Sequence, residues 1–189
     1  ELLLFAKKLK SYQQLMQLSS SKMTTEGPFY LAEHQSLLSD LFAVTLSAKG
    51  EVAQTFFEDE QQAVHAFQQL ASYFDPQSLF VEHSFSMNQQ RNPALFSFYQ
   101  REQLPGVALQ EVRHLTKEEG FAVTVLESIK ENNQLNITSQ TPEIEGLNYL
   151  REAETTMEQM LQIAGAEVVQ NTIQLAGNCR VDIPLHQKL

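Results

Sequence analysis

Five histidines and one cysteine are the side chains of this sequence best suited to bind a metal or attack a substrate, and they are scattered along the chain. His83 lies between Val81 and Phe85 in an alternating apolar segment, which predicts a strand with a hydrogen-bonded core histidine on its buried face. Glu82 is adjacent, but neighbouring strand residues point to opposite faces and cannot share one metal ion. We therefore predict no metal site. Of the other histidines, His65 is predicted within a helix at the edge of its buried face, and His34, His114 and His186 are predicted to be exposed.

Cys179 is the only cysteine, so it can form neither an intrachain disulfide nor a cysteine-based metal cluster. Arg180 beside it could lower the pKa of its thiol, but no histidine can be placed next to it from the sequence. The acidic run at residues 58–60 is typical of a helix N-terminus, which favours acids. Glycine-rich phosphate loops, zinc-protease motifs and nucleophile elbows are missing from the sequence. We predict no catalytic residue and no cofactor.

The composition predicts a folded, soluble and acidic protein. Hydrophobic residues make up 42% of the 189-residue chain, and the net charge is −10. This balance argues against nucleic-acid binding, which needs clustered Lys and Arg. The first 22 residues differ, because four lysines there outweigh Glu1. Those lysines either solvate the surface or face a membrane or an acidic partner.

A repeated pentapeptide suggests how the elements are arranged. Phe42-Ala43-Val44-Thr45-Leu46 is similar to Phe121-Ala122-Val123-Thr124-Val125, about 80 residues later. Each copy is predicted to begin a hairpin, followed by a helix and a second hairpin. The prediction is an α+β fold of two ββαββ units, an internal duplication with a mainly antiparallel sheet. Its boundaries are a stem helix and linker at 1–28, a first unit at 29–104 and a second unit at 105–189.

Within the two units, strands and helices are predicted from alternation, helical spacing and capping residues. Asp59 is expected to cap the first helix with Gln62 as its capping-box partner, and Gly165 to end the second. The predicted strands are residues 41–47, 52–57, 79–87 and 94–100 in the first unit, and 121–129, 135–139, 168–175 and 180–185 in the second, with a further strand at 107–115 between them.

Residues 2–19 are predicted to form the stem helix. Five apolar side chains recur at spacings of three and four residues and would form a seam for a partner helix or a dimer. Leu15 and Leu18 widen the stripe, so the helix is at least as well suited to pack on the body of the protein. The seam residues are Leu2, Phe5, Leu9, Tyr12 and Met16.

These features predict a non-catalytic protein–protein interaction or assembly module excised from a longer protein. Its partner is another protein or a second copy, bound through the stem or through an edge strand. The alternative is a small-molecule sensor with a pocket between the units, to which His83, Thr45 and Thr124 could contribute. An enzyme with a site assembled from scattered residues is the third hypothesis.

The order of a basic stem helix, hairpin, helix and hairpin is similar to that of the membrane-anchored assembly proteins of type IV pili and type II secretion machines. This resemblance implies a membrane anchor upstream of Glu1, and the chain does begin without Met. The end of the chain, from the helix before Gly165 to Val181-Asp182-Ile183-Pro184-Leu185, is similar to that of histidine-kinase ATPase domains, but their glycine-rich boxes are missing. The sequence leaves open a cytoplasmic or periplasmic location.

Overall fold

A four-stranded mixed sheet with helices packed against it forms the centre of the protein, seen in a computed structural model that describes residues 1–84, 93–132 and 148–183. The strands lie in the order β1-β2-β3-β4. β1 is antiparallel to β2, whereas β2, β3 and β4 are parallel. The strands are β1 (Leu2–Ala6), β2 (Leu41–Thr45), β3 (Leu79–His83) and β4 (Gly106–Ala108).

Seven α-helices and two 3-10 helices are found in the described part of the chain. The α-helices are α1 (Leu9–Thr24), α2 (Glu51–Glu58), α3 (Glu60–Ala71), α4 (Pro93–Arg101), α5 (Gly120–Lys130), α6 (Ala153–Ala164) and α7 (Ala166–Asn178). The 3-10 helices are Leu31–Leu37 and Lys117–Glu119. Two parallel connections need crossovers, which α2 with α3 and then α4 provide.

The sheet buries both of its faces. On the first face, the side chains of Leu41, Ala43, Leu79 and Val81 pack with residues of α1, α2, α3 and α4, including Leu18, Val52, Phe67 and Phe98. On the second face, Phe42, Val44, Phe80 and Val107 pack against Leu175 of α7. Because β2 is covered on both sides, all five of its residues are buried.

Helix α7 also closes the sheet at β4. The Asn171 Nδ2 donates to the Gly106 carbonyl at 3.0 Å, and the Thr172 Oγ1 accepts from the Ala108 N–H at 2.7 Å. These side chains satisfy backbone groups that an edge strand would otherwise expose.

The opposite edge is β1. The Lys7 N–H donates to the Asp40 carbonyl and the Leu46 N–H donates to the Glu1 carbonyl, so the odd-numbered residues of β1 bond to β2. Antiparallel pairing alternates, and the backbone groups of residues 2, 4 and 6 therefore point away from β2.

The predicted duplication is wrong. Phe42 lies in the buried strand β2, whereas Phe121 lies in helix α5 and is 51% exposed. The second pentapeptide follows a helical turn at residues 117–119, which has a Thr116–Glu119 capping box and leads directly into α5. The capping box and the packing of α5 therefore outweigh the preference of residues 121–125 for a strand. Its predicted partner strand, 135–139, lies outside the described residues.

The mainly antiparallel sheet is also wrong, since β2, β3 and β4 are parallel and four predicted strands are helices. Residues 52–57 lie in α2, residues 94–100 in α4, residues 121–129 in α5 and residues 168–175 in α7. α2 starts after Gly50, α4 starts at Pro93 and α7 starts after Gly165. The hairpin order behind the resemblance to pilus and secretion proteins is therefore not found, and that resemblance loses its basis.

Several local predictions are confirmed. Strand 41–47 corresponds to β2, and the start of strand 79–87 corresponds to β3. The Asp59 Oδ1 accepts from the Gln61 N–H at 2.9 Å and the Gln62 N–H at 3.3 Å, as expected of a cap. The Gln62 side chain bonds to the Asp59 carboxylate rather than to its backbone.

The second helix ends at Gly165 as predicted. It was predicted to begin at Thr141-Pro142, which lies outside the described residues, but α6 begins only at Ala153, and residues 148–152 are not helical. Of strand 107–115, only the first residues belong to β4, and residues 180–183 form no strand.

The predicted stem helix is wrong for its first residues, which form β1. Leu2 packs on the first face of the sheet and Phe5 on the second, as alternation in a strand requires. α1 begins only after Lys8, whose backbone exchanges hydrogen bonds with the Ser11 hydroxyl. The boundaries 1–28, 29–104 and 105–189 stay predictions, although the sheet combines strands from all three segments.

Candidate functional site

A cavity of about 630 Å³ lies beside β4, between the end of β3, helix α4 and the junction of α6 with α7. Its wall combines segments that are about 80 residues apart in the sequence, since β3 contributes His83 and the helix junction contributes Gly165. These segments meet because α4 packs on the first face of the sheet and α7 packs along β4.

His83 is the last residue of β3 and is 2% exposed. The rings of Phe96 and Tyr99 pack edge-on against it, with centroids at 5.1 and 5.9 Å. Its Nδ1 has no hydrogen-bond partner among the described residues. Burial lowers the pKa of His83 to about 4, so the imidazole is neutral at pH 7.

Tyr99 reaches the cavity from α4 and is 1% exposed. Its helix is fixed by Leu95 and Phe98, which are fully buried in the core of the first face. The Tyr99 hydroxyl has no partner in the described part of the chain. Burial, and then the nearby charge of Glu82, raise the pKa of Tyr99, so the phenol stays protonated.

Gly106 allows the backbone of β4 to lie against the imidazole of His83. A Cβ at this position would lie 2.4 Å from the His83 Nε2 and 3.1 Å from the Val168 Cγ2. Since no real Cβ tolerates the shorter distance, a side chain here would displace the ring. The absence of a side chain at Gly106 thus leaves the space that the His83 ring occupies in the wall.

The α6–α7 junction brings the beginning of a helix to the cavity. Gly165 has a φ of +89°, which lets α6 end and α7 begin within one residue. Among the described residues, no side chain is seen to cap the N-terminus of α7. The N–H groups of Ala166, Glu167 and Val168 have no acceptor within the helix, and they carry the positive end of its dipole.

The described wall is almost uncharged. Gln103 and Gln100 contribute amides, Leu104 contributes apolar surface, and Glu167 is the one residue of the described lining with a formal charge. Glu167 itself is exposed. The arrangement can bind a small molecule by hydrogen bonds from buried neutral groups and from a helix N-terminus.

Of the residues that the sequence suggested for a pocket, only His83 lines this cavity. Its burial is confirmed, but the hydrogen bond expected of a core histidine is not found at Nδ1 among the described residues. Thr45 is buried against Gly50 at the start of α2, and the Thr124 hydroxyl donates to the Gly120 carbonyl within α5. Tyr99 was predicted to lie in a strand, and the sequence did not indicate that it would line a cavity.

The predicted seam residues occupy two elements. Leu2 and Phe5 pack within the sheet, and Leu9 at the start of α1 is half-buried. Tyr12 and Met16 lie one turn apart on α1 and are 37% and 55% exposed. A role for these two residues in an interaction stays a prediction.

Cys179 packs against the core of the second face. Burial raises the pKa of its thiol, and the smaller opposing effect comes from Lys7 rather than from Arg180. In the acidic run, Asp59 caps α3 and Glu60 bonds to Arg101. No group of three or more metal-binding side chains occurs within residues 1–84, 93–132 and 148–183.

Comparison with protein-family models gives no matching family, and comparison with curated proteins gives no significant match. Among the helices that the structure describes, none has both the length and the apolar character needed to cross a bilayer.

Proposed function

We propose that this protein is a non-catalytic binding domain for a small molecule, which occupies the cavity between β3, α4 and the α6–α7 junction. The supporting observation is that two residues lining the cavity, His83 and Tyr99, each carry a buried polar atom, Nδ1 and the hydroxyl oxygen, without a partner in the described structure. Leaving such a group unsatisfied costs about 1–3 kcal/mol. A ligand with complementary polar atoms would recover that free energy.

The cavity has a suitable size and protonation state for binding. Its volume of about 630 Å³ falls in the usual range of small-molecule sites. Neutral His83 and protonated Tyr99 can form hydrogen bonds at pH 7 without gaining or losing a proton. This favours recognition over acid–base catalysis, which works best with groups that titrate near the operating pH.

A thermal-shift screen with a metabolite library tests the proposal, because a ligand that binds only the folded state raises the melting temperature. We expect at least one compound to stabilise the protein and to bind Tyr99→Phe about fivefold more weakly, through loss of one hydrogen bond. The matched control is Tyr30→Phe, since Tyr30 is exposed and lies outside the cavity.

Two results would contradict the proposal. One is a screen in which no compound raises the melting temperature of the unmodified protein. The other is a set of stabilising compounds that bind Tyr99→Phe and the unmodified protein with equal affinity.

A second candidate function, a protein-interaction or assembly module, is favoured by the exposed surface at β1 and α1. The backbone groups of residues 2, 4 and 6 point away from β2, and such an edge can accept a strand from another chain. Tyr12 and Met16 add an exposed apolar patch on the neighbouring helix. A second copy of the chain could use the same edge and patch in a two-fold dimer.

This function predicts that the protein self-associates at high concentration and that Met16→Glu weakens the association. The variant places a charge in the apolar patch, whereas Gln13→Glu places one on an exposed residue outside the seam. Sedimentation equilibrium of the two variants and the unmodified protein gives the comparison. A monomer at all concentrations, or equal association of both variants, would exclude the patch as a dimer contact.

A further inference from the structure

We infer that the ligand of this cavity carries a carboxylate, which binds at the N-terminus of α7 with the Tyr99 hydroxyl as an additional donor. This inference rests on the proposed function and specifies the chemical class of the ligand.

The first reason is the position of α7. The helix has 13 residues, and its first turn, together with Gly165, forms part of the cavity wall. The amides of Ala166, Glu167 and Val168 have no acceptor within the helix, and no side chain in the described part of the chain is seen to cap them. Converging amides at the positive end of a helix are suited to an anion.

The second reason is independent of the helix. Tyr99 is 1% exposed, lines the same cavity, and has a hydroxyl without a partner among the described residues. A protonated phenol can donate a hydrogen bond, and His83 can donate another from Nδ1 in one tautomer. The residues that line the cavity thus carry several donors, and these suit an acceptor with several lone pairs, such as the two oxygens of a carboxylate.

The charges favour a carboxylate over a phosphate group. No lysine or arginine belongs to the described lining, and Glu167 adds a negative charge near the cavity. The described lining would offer a phosphate with nearly two negative charges no counter-charge. A monoanion is better matched to the partial positive charge, about half a unit, at a helix N-terminus. The rest of the wall, with Leu104, Ala164 and two glutamines, suits an uncharged organic body.

The test compares carboxylates with primary amides of the same shape. The probes are acetate and acetamide, hexanoate and hexanamide, and benzoate and benzamide, with inorganic phosphate as the dianion. Amide NMR spectra of the ¹⁵N-labelled protein at pH 7 and constant ionic strength give the resonances that shift and the dissociation constants.

We expect at least one carboxylate to shift the amides of Ala166 and Glu167 and to bind about tenfold more tightly than its matched amide. Tyr99→Phe should weaken that carboxylate about fivefold, whereas Tyr30→Phe should leave its affinity unchanged. Phosphate should bind more weakly than the best carboxylate.

The inference is overturned if each amide binds as tightly as its carboxylate, if phosphate binds most tightly, or if no carboxylate shifts residues 165–168 up to its solubility limit. In each of these cases the proposed function still stands if the metabolite screen gives a neutral ligand whose affinity depends on Tyr99. The two failures are therefore distinguishable.

Discussion

At the scale of single residues, burial shifts the pKa values of two side chains that line the cavity, His83 and Tyr99. His83 and Tyr99 both keep their neutral forms because the charged forms are poorly solvated in the wall. Gly106 leaves room for the His83 imidazole, because a Cβ at this position would lie 2.4 Å from the ring. None of these three effects is visible in residue types alone, because each depends on a neighbour that is distant in the sequence.

His83 should make the stability of the protein depend on pH. Its pKa falls from 6.5 to about 4 on folding, so between these values the unfolded chain binds a proton that the folded chain does not. Acidification through this window therefore favours unfolding, by up to about 3 kcal/mol for a shift of this size. Urea unfolding between pH 7 and pH 4 should show this loss in the unmodified protein but not in His83→Gln.

The control for this prediction is His65→Gln, because His65 is exposed on α3. This variant should keep the pH dependence of the unmodified protein. Equal pH dependence in His83→Gln and the unmodified protein would show that His83 does not titrate between the two values.

At the scale of elements, α7 both closes the sheet and provides a wall of the cavity. The Thr172 Oγ1 accepts from the Ala108 N–H and donates to the Val168 carbonyl, so it joins the helix to β4. Leu175 adds apolar contact with the second face. The position of the α7 N-terminus therefore depends on contacts made along the helix.

Thr172→Val should destabilise the protein by about 1–2 kcal/mol, because the part-buried Ala108 N–H loses its acceptor while the side-chain volume is kept. The matched control is Thr156→Val on α6, whose exposed hydroxyl bonds only to the carbonyl four residues earlier. Urea unfolding of both variants gives the two free energies. Equal losses would mean that the bond to β4 adds nothing to stability.

The sequence predicted those elements whose signals are local. Asp59 caps α3, Gly165 ends α6 and residues 41–45 form a strand, because capping, positive φ and continuous burial act over a few residues. α4 was missed although Leu95, Phe98 and Tyr99 have the spacing of a helix face. The segment 94–100 was predicted as a strand, whereas these three side chains pack as one helix face in the core.

At the scale of the whole molecule, one sheet joins segments that the sequence seemed to separate. β1 comes from the predicted stem, β2 and β3 from the predicted first unit, and β4 from the predicted second unit. Strand order and direction follow from long-range pairing, for which a single sequence contains no direct signal. The candidate site could not be predicted for the same reason, as its wall forms only where β3, α4 and α7 meet.

The distance in sequence between His83 and the start of α7 has a consequence for folding. The cavity forms only after the chain between His83 and α7 has brought these two segments together. Closing such a long loop is slow, so we expect the cavity to form after the individual helices have formed. A nascent chain that has not yet released α7 from the ribosome would have β2 and β3 but no complete site. A ligand in the cavity would therefore join α7 to β3 and α4, and would slow the local detachment of α7 from the sheet.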